Sequence, residues 1–568
     1  MAGQALIPRF GWLKQLGGGT ILKDVIAGLI LSILLVPQAM AYAQLPGLPQ
    51  ETRLFAALLP PILYAFFGTS AFVSVGPVAL VSLVIGEAAS GARIEPLQAA
   101  AIVAIQAGAL LALLGAVNLG RIVNFVSEPV LLGFTAAAAF LIAFSQLPTL
   151  LGIETDRAGE LPTALAGLIE NFGALEKNTA TIGIAALVAF LLIGRYGAPL
   201  LWKLGVRPPL RQAIAKSMPL LVIVIASIVA VSMGAVETVE APEAGLPSIV
   251  LPSEGPEAWM ALLPSSIAVA IIVFVTATAV AKSLAGTDRR HLDSSREAVA
   301  LGLSNIFAPL VGGYAVGASL SRSALVEDSG ARTPLASIVA ACVVLAVILL
   351  LAPILAYLPK TALAALVISA VFGLIKLRDM RDTWAHDQIE GLVIAVTFLA
   401  TLLLGVQWGL AVGAIAGLAN FLWFSSLPRV TRLGSDDGGE TYRSVDRDAV
   451  RIETLPVLPI RIDRSVFFAN AAHVEDSVFR LIGKHDDVNC VVLDMRTVNS
   501  VDASGVAMLR RLVERLYDMD MAVHIAEAHE PVQRQLDKLD SRKCIFHRTM
   551  QDAVQSCGVE TEPQIAPT

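Results

Sequence analysis

Residues 317–332 read Gly-Ala-Ser-Leu-Ser-Arg-Ser-Ala-Leu-Val-Glu-Asp-Ser-Gly-Ala-Arg and set Arg322 between two serines in an otherwise apolar region. No charged residue occurs in Ala298–Ser321, and the next long uncharged run starts at Thr333. An arginine inside a membrane costs about 2.5–3.5 kcal/mol on insertion scales, so it needs an aqueous cavity or an anionic partner. We therefore take Arg322 as a candidate anion-binding residue.

The composition places most of the chain in a lipid bilayer. Of its 568 residues, 55% are hydrophobic and 15% are charged, which is too apolar for a soluble protein of this size. Charged residues are clustered up to about Pro428 and then come every few positions. We expect a membrane domain over residues 1–430, a small soluble domain over 431–558 and a disordered tail over 559–568. The net charge of −6 says little about partners, because the local distribution of charge matters more, and the lack of a basic patch argues against a nucleic-acid partner.

The membrane domain divides into uncharged runs. These runs are Val25–Gln50, Leu54–Gly86, Pro96–Gly120, Pro129–Ile153, Asn178–Gly194, Ser217–Val236, Ala258–Ala281, Ala298–Ser321, Thr333–Pro359, Thr361–Ile375 and Gly391–Pro428. A span needs about 20 apolar residues, and the two longest runs are interrupted by glycines, so each is expected to form two segments. With a short helix that begins near Ser321, we expect about 14 spans.

Loop charges indicate the orientation. The loop over residues 195–216 is purely basic, and the loop over residues 237–257 is purely acidic. Because basic loops stay in the cytoplasm, stepping through the spans puts both termini there. We expect a multi-pass protein of the inner or plasma membrane. The first apolar segment starts near Val25 and is too long for the hydrophobic region of a cleavable signal peptide.

Two short segments share an unusual design. Ser74-Val-Gly-Pro77 and Ser319-Leu-Ser-Arg322 begin with small residues and open the expected third and tenth spans. Proline suits the first position of a helix. Paired interrupted segments in two halves indicate an inverted repeat, in which half-helix N-termini meet and offer N–H groups and a positive dipole end to an anion. For either segment alone, the alternative is that its small residues merely allow close helix packing.

The chain resembles the SulP family, also called solute carrier family 26, over nearly its whole length. The matching motifs are Val36-Pro-Gln-Ala-Met-Ala-Tyr-Ala43, Phe67-Gly-Thr-Ser70, Val73-Ser-Val-Gly-Pro77, Glu297–Gly313 and Ser319-Leu-Ser-Arg-Ser-Ala324. The resemblance implies a mostly α-helical membrane protein with 14 transmembrane segments in a 7+7 inverted repeat. It also implies a core domain that moves like an elevator against a gate domain, a small anion as substrate and a homodimer.

The resemblance also assigns an anion pocket. Its residues would be Gln38, Tyr42, Gly76, Pro77, Val78, Leu320, Ser321 and Arg322. Their chemistry fits an anion, since they include an amide donor, a hydroxyl and an aromatic wall four residues along the helix from the amide. Gln38 has an alternative role in an interhelical hydrogen bond. Val78 stands where family members often carry phenylalanine, which would widen the pocket.

The ion that would drive transport stays open. Many microbial and plant members of the family carry a glutamate where this chain has Thr276, and that carboxylate is associated with proton coupling. A threonine does not titrate, so proton symport through this position is excluded. Thr276 and Thr278 are candidate oxygen ligands for Na⁺, although neutral hydroxyls alone make a weak cation site. Glu327 and Asp328 are another source of negative charge for Na⁺ or H⁺, unless they lie at the wet cytoplasmic end of a short helix.

The soluble tail alternates β and α patterns. Predicted strands are Leu458–Ile462, Val466–Ala469, Asn489–Asp494 and Ala522–Ala526, and predicted helices are Ala472–Lys484, Ala503–Leu516 and Pro531–Leu539. Residues 491–505 resemble the signature of the STAS domain (sulfate transporter and anti-sigma factor antagonist), which SulP proteins carry at this end. We therefore expect a small cytoplasmic α/β domain that binds a regulator. Ser504 matches the serine phosphorylated in anti-sigma antagonists and is either a regulatory site or an N-terminal helix cap.

The other residue patterns narrow the functional class. The four cysteines show no metal-ligand spacing, so we expect reduced structural thiols, no metal and no cofactor. Nothing supports an enzyme, because no nucleophile–base pair or phosphate loop is present.

We expect a secondary transporter of sulfate above all, with bicarbonate, chloride and dicarboxylates as alternatives. A channel-like or uncoupled anion pathway, or an anion exchanger, is the second hypothesis. A nucleobase transporter on the same fold is disfavoured, because it would carry neither the Ser-Arg opening nor a STAS tail.

Overall fold

The chain forms two compact units. The computed structural model describes residues 10–48, 50–118, 127–153, 161–206, 210–234, 236–239, 249–284, 293–435, 440–445, 456–485, 487–536 and 543–558. The two units are Met1–Gly417 and Leu418–Thr568. Their division falls inside a helix, earlier than the predicted boundary at residue 430, and the predicted tail over 559–568 lies outside the described residues.

The first unit is helical, and its last helix continues into the second. The helices are α1 (Gly18–Tyr42), α2 (Gln50–Phe55), α3 (Leu59–Phe67), α4 (Ala79–Ala92), α5 (Pro96–Ala116), α6 (Glu128–Ser145), α7 (Leu147–Leu151), α8 (Leu161–Glu170), α9 (Lys177–Lys203), α10 (Leu210–Met233), α11 (Pro256–Leu284), α12 (Ser294–Ile306), α13 (Leu320–Asp328), α14 (Leu335–Leu355), α15 (Lys360–Phe372), α16 (Leu377–His386), α17 (Gln388–Leu404) and α18 (Val406–Ser426). Two short strands interrupt them: β1 (Val75–Gly76) and β2 (Gly317–Ala318).

Many of these helices suit a bilayer. Within the described ranges, eight helical segments are long and apolar enough to cross a membrane: α1, α5, α6 with α7, α9, α11, α14, α15 with α16, and α18. Shorter apolar helices are α4, α17 and the Ser217–Met233 part of α10. Large apolar side chains such as Leu192 and Ile228 are exposed, which suits a lipid surface. The mostly α-helical membrane fold is confirmed, and the total of 14 spans stays a prediction.

Helices α5 and α12 pack with their backbones in close contact. A Cβ atom added at Gly302 would lie 2.5 Å from the Ala112 nitrogen and 2.7 Å from the Gly108 carbonyl oxygen. A Cβ added at Gly108 would in turn lie 2.6 Å from the Ile306 nitrogen. Small residues allow membrane helices to approach in this way, and dispersion between the backbones then stabilises the pair. The two helices come from different halves of the first unit, so its halves are interleaved.

Helix α1 packs against α14 by the same means and also carries a buried carboxylate. A Cβ at Gly28 would lie 2.6 Å from the Ala336 carbonyl oxygen. Asp24 is fully buried, and its Oδ1 accepts hydrogen bonds from the backbone N–H groups of Arg332 at 2.6 Å and Thr333 at 3.2 Å. The Thr333 hydroxyl donates to Oδ2 at 2.6 Å. These bonds tie the start of the first span to the turn before α14.

The second unit is an α/β domain. Its strands are β3 (Val430–Gly434), β4 (Arg443–Ser444), β5 (Val457–Ile462), β6 (Cys490–Asp494), β7 (Ala522–Ala526) and β8 (Ile545–His547), in the spatial order β4-β3-β5-β6-β7-β8. Its helices are α19 (Ala471–Ile482), α20 (Ala503–Asp518), α21 (Glu530–Leu536) and α22 (Met550–Gly558). Strands β5 to β8 are parallel, and β3 is antiparallel to both of its neighbours. Helices connect the parallel strands, as such crossovers require.

Two local predictions in this unit are wrong. Val466–Ala469 is not a strand, because only Val466 forms a β-bridge, to Val501. Ser504 is not the helix cap, because the side chain of Asp502 occupies that position and accepts a hydrogen bond from the Gly505 N–H at 2.8 Å. Ser504 is an exposed residue in the first turn of α20. Its role as a regulatory site stays a prediction.

The cysteines also differ from expectation. Cys490 and Cys557 form a disulfide with their Cα atoms 6.0 Å apart, while Cys342 and Cys544 are free. The expectation of reduced thiols is therefore wrong for this pair. Sequence spacing could not indicate it, because 67 residues separate the two positions and only the packing of α22 on the sheet brings them together.

Candidate anion-binding site

The two short segments singled out in the sequence meet in the fold. Strands β1 and β2 pair antiparallel, with Val75 opposite Ala318 and Gly76 opposite Gly317. Ser74 adds two hydrogen bonds to this junction, both to the segment around α13. Its carbonyl oxygen accepts from the Ser319 N–H at 3.2 Å, and its own N–H donates to the Ser323 Oγ at 2.8 Å.

Each strand leads directly into a short helix. In α4 the first ladder bond runs from the Ser82 N–H to the Val78 carbonyl oxygen, at 3.1 Å. In α13 it runs from the Ser323 N–H to the Ser319 carbonyl oxygen, at 2.9 Å, and the Ser319 hydroxyl caps the Arg322 N–H at 3.5 Å. Apart from the capped Arg322 N–H, the N–H groups just before Ser82 and Ser323 have no acceptor within their own helix. Two positive dipole ends therefore start at one junction.

Arg322 lies at this junction with no exposed surface. Its Nη1 donates to the Pro77 carbonyl oxygen at 2.9 Å and to the Gln38 Oε1 at 3.2 Å. Its Nε donates to the Ser74 Oγ at 3.4 Å. Its Nη2 is buried and has no hydrogen-bond partner within the described residues.

The partners of Arg322 are all neutral. In the part of the chain that the structure describes, no carboxylate forms an ion pair with its guanidinium. A buried charge normally has an ionic partner, and an unpaired buried donor costs about 1–3 kcal/mol or more when charged. The site therefore has one positive charge and one unpaired NH2 group, with two N–H donors, to offer to an anion.

Two tyrosines and a glycine surround the guanidinium. Tyr42 and Tyr314 are buried near Arg322. A Cβ atom at Gly76 would lie 3.4 Å from the Arg322 Nη2 and 3.5 Å from the Leu35 Cδ1. The glycine therefore leaves open the space beside the free donor.

The structure brings most of the predicted pocket residues together. Gln38 contacts Arg322 directly, so its interhelical hydrogen bond and its place in the pocket are the same interaction. Val78 is half-buried at the start of α4. Leu320 and Ser321 have exposed side chains in the first turn of α13. These two residues sit next to Arg322 through their backbone.

The candidate cation ligands divide into two kinds. The Thr276 hydroxyl donates to the Ile272 carbonyl oxygen of its own helix at 2.7 Å. The Thr278 hydroxyl is buried without a hydrogen-bond partner among the described residues. Glu327 and Asp328 are half-buried at the end of α13. Of the two threonines, Thr278 has the freer oxygen.

Sequence reasoning assigned no role to a buried carboxylate that bonds α3 and the residues that follow it. Glu297 is 1% exposed, and its Oε2 accepts from the Tyr64 hydroxyl at 2.7 Å. Its Oε1 accepts from the Thr69 N–H at 2.9 Å and from the Thr69 hydroxyl. A signal was present, since Glu297 is the last charge before the long uncharged run. Ser74 and Ser323 belong to the quoted motifs, but the sequence did not indicate that they bond to each other or that Ser74 contacts Arg322.

Comparisons with known proteins agree with this architecture. Residues 21–397 match the model of the sulfate permease family, and residues 448–557 match the STAS domain. The probable sulfate transporter 4.2 of Arabidopsis thaliana is 30% identical, over 97% of this chain and 84% of that protein. The chloroplastic sulfate transporter 4.1 of the same plant is 29% identical, over 97% and 82%.

Solved structures share the fold. Murine solute carrier 26 family member A9, an anion transporter in the inward-facing state, superposes with a TM-score of 0.87 at 21% identity, over 96% of this chain and 93% of that chain. The transmembrane domain of the cyanobacterial bicarbonate transporter BicA gives a TM-score of 0.59 at 20% identity, over 71% and 98%. The chain therefore belongs to the sulfate permease family of membrane transporters and carries a C-terminal STAS domain.

Proposed function

We propose that this protein is a secondary transporter of small anions, with sulfate as the favoured substrate and bicarbonate, chloride or a dicarboxylate as alternatives. The observation that carries the proposal is the buried Arg322 Nη2, which has no protein partner within the described residues and lies where α4 and α13 begin. An anion at this position would receive a charged hydrogen bond and two helix dipoles together.

The choice of sulfate rests on two supports. The curated relatives that resemble this chain over nearly its whole length are named as sulfate transporters. A tetrahedral oxyanion also has enough acceptor oxygens to meet the free guanidinium N–H and the N–H groups of both helix starts at once. Chloride would use the same charges with fewer directed bonds.

The proposed movement is elevator-like. The anion would be held by α4 and α13, and these helices would carry it across the bilayer together with the elements packed on them. In this family fold, binding near the midplane between half-helices suits alternating access. A channel-like or uncoupled pathway and an anion exchanger are the alternatives.

The coupling ion is proposed from the hydroxyls of α11. Thr278 is the better Na⁺ candidate, since its oxygen is buried and has no hydrogen-bond partner among the residues that the structure describes, whereas that of Thr276 bonds its own helix. Sodium-dependent uptake that Thr278→Val abolishes and Thr276→Val leaves largely intact would support this role. If uptake by the unaltered protein does not depend on Na⁺, Thr278 is not a Na⁺ ligand in transport.

The loop charges and the family support a proposal for the location and assembly of the transporter. We place it in the inner or plasma membrane with both termini in the cytoplasm, as a homodimer whose STAS domain binds a cytoplasmic regulator. Protease accessibility of the STAS domain in right-side-out and inside-out vesicles tests the orientation. Cross-linking in native membranes tests the dimer.

Reconstitution tests the substrate directly. Proteoliposomes of the full-length chain would take up labelled sulfate faster than protein-free liposomes, and unlabelled bicarbonate, chloride and fumarate would rank as competitors. Each uptake is measured with and without Na⁺ or pH gradients, and with the trans side loaded to reveal exchange. Failure of every small anion to move in any condition would refute the proposal. Single-channel currents in planar bilayers would support a channel instead of a carrier.

A further inference from the structure

The STAS domain contains a second cluster of chemically active side chains. Cys490 lies in β6, His524 in β7 and Cys557 in α22, and one donor atom from each lies within 4.8 Å of the other two. His547 of β8 adjoins them, since its Nε2 lies 2.8 Å from the His524 Nδ1 and the two rings are stacked.

Sheet register explains why these residues meet. Val492 pairs with His524, and Ala526 pairs with His547. Cys490 precedes Val492 by two residues, and His524 precedes Ala526 by two, so all three polar side chains project from one face of the sheet. Helix α22 covers that face and supplies Cys557 from its last turn.

We propose that Cys490, Cys557 and His524 form a binding site for a thiophilic divalent cation such as Zn²⁺ when the two cysteines are reduced. Two thiolates and one imidazole are ligands that zinc prefers, and a water or a further donor would complete a tetrahedral shell. His547 acts as a positioning residue, because a hydrogen bond to the second ring nitrogen of a ligating histidine orients that ring.

Two features favour a metal over a permanent cross-link. Disulfides seldom persist in the cytoplasm, and the orientation proposed above places this unit there. The cluster also contains the His524 imidazole beside the sulfur atoms, which a structural disulfide does not require. Cys490 and His524 are buried and Cys557 is half-buried at the domain surface, so an ion could enter from that side.

The chain offers a matched control. Cys544 is also buried in this domain, but it packs in the main core with Val523 and Leu536, away from the α22 face. Burial raises the pKa of its thiol to about 12, so it stays protonated at neutral pH. Cys544→Ser therefore changes the cysteine count without touching the proposed site.

The test uses the full-length protein in detergent. A phosphine reductant opens the disulfide: water supplies an oxygen atom to the phosphine and two protons to the sulfur atoms, which accept the two electrons. After removal of the reductant without air, the protein is titrated with Co²⁺ and read by its thiolate charge-transfer absorption, or loaded with Zn²⁺ and assayed for bound metal. Binding of either ion by two thiols would release two protons.

We expect one equivalent of metal in the reduced protein and in Cys544→Ser, and none in the unreduced protein or in Cys490→Ser/Cys557→Ser. We also expect His547→Gln to lower the affinity about 10- to 100-fold, as loss of an orienting partner does. The proposal is overturned if the reduced unaltered protein binds no more metal than the double variant, or if the unreduced protein binds equally well. Because the comparison of reduced with unreduced protein needs only the unaltered chain, it stands even if a variant misfolds.

Discussion

The Arg322 Nη1 lies 2.9 Å from the carbonyl oxygen of Pro77, a residue from the other half of the membrane unit. This bond joins the start of α13 to the start of α4 across the β1–β2 pair. It fixes one side of the guanidinium to the protein and leaves Nη2 without a partner in the described residues. The arginine thus supports the junction and presents a donor there at the same time.

Replacing Arg322 by glutamine should lower the rate of sulfate uptake about tenfold or more, since a charged hydrogen bond contributes about 1.5–3 kcal/mol and the site loses its only buried cation among the described residues. Arg322→Lys should recover little, because an ammonium cannot contact Pro77 and a substrate in the fork geometry of a guanidinium. Uptake into proteoliposomes measures both. The control is Arg332→Gln, whose side chain is exposed near the end of α13 and should leave uptake unchanged. Normal transport by the Arg322 variants would remove this residue from the site.

Gly76→Ala should weaken binding of sulfate more than binding of chloride. The added methyl would sit 3.4 Å from the Arg322 Nη2, in the space beside the free donor. The fold should persist, because the backbone of Gly76 is not in the left-handed region. Apparent KM values for the two anions provide the test, with about a tenfold rise expected for sulfate. An equal change for both anions would mean that the methyl acts on the junction as a whole.

Ser323→Ala should destabilise the crossing of the two half-helices by about 1–3 kcal/mol, because the buried Ser74 N–H would lose its acceptor. Ser329→Ala is a matched substitution at the end of the same helix, and its hydroxyl is buried without a hydrogen-bond partner in the described residues. That variant should be neutral or slightly stabilising. Thermal unfolding in detergent distinguishes them, and equal midpoints would show that the Ser74–Ser323 bond contributes nothing.

Gly302→Ala should reduce stability by about 1–3 kcal/mol, since the new methyl would overlap the backbone of α5 and force α12 away from it. Gly91→Ala serves as the control. It lies in α4 with open space around it, and the change should raise stability by about 0.4–1 kcal/mol, as Gly to Ala does in helices. Unfolding midpoints of the two variants should therefore move in opposite directions. A Gly302→Ala protein as stable as the unaltered one would argue against close packing of α5 and α12.

Glu297→Gln should destabilise the membrane unit by several kcal/mol, because the amide would direct an N–H group toward donors from Tyr64 and Thr69 that now point at a carboxylate. Glu128→Gln is the comparison, since that glutamate is exposed in the first turn of α6. Expression yield and thermal unfolding report the difference. If Glu297→Gln keeps full stability, the carboxyl is already protonated in the folded protein.

Much of the architecture was accessible from local patterns. The apolar runs, the paired short segments and the alternating tail each depend on neighbours in sequence, and the predicted strand over Ala522–Ala526 agrees with β7 to the residue. The predictions were wrong where a neighbouring residue could play the same role or where a strand needed a distant partner. Asp502 rather than Ser504 caps α20, and Val466–Ala469 lacks a partner strand beyond one bridge.

By itself, the sequence determined that this is a membrane protein with two interrupted helices and an arginine within its apolar part. Hydropathy and the cost of placing a charge in a membrane can be assessed without knowing which residues are in contact. Only the tertiary structure decided which groups surround that arginine. Ser74, Pro77 and Gln38 contact it from positions more than 240 residues away along the chain, where spacing carries no information. The same holds for the cluster of Cys490, His524 and Cys557. Long-range packing, which follows from the fold as a whole, makes both sites.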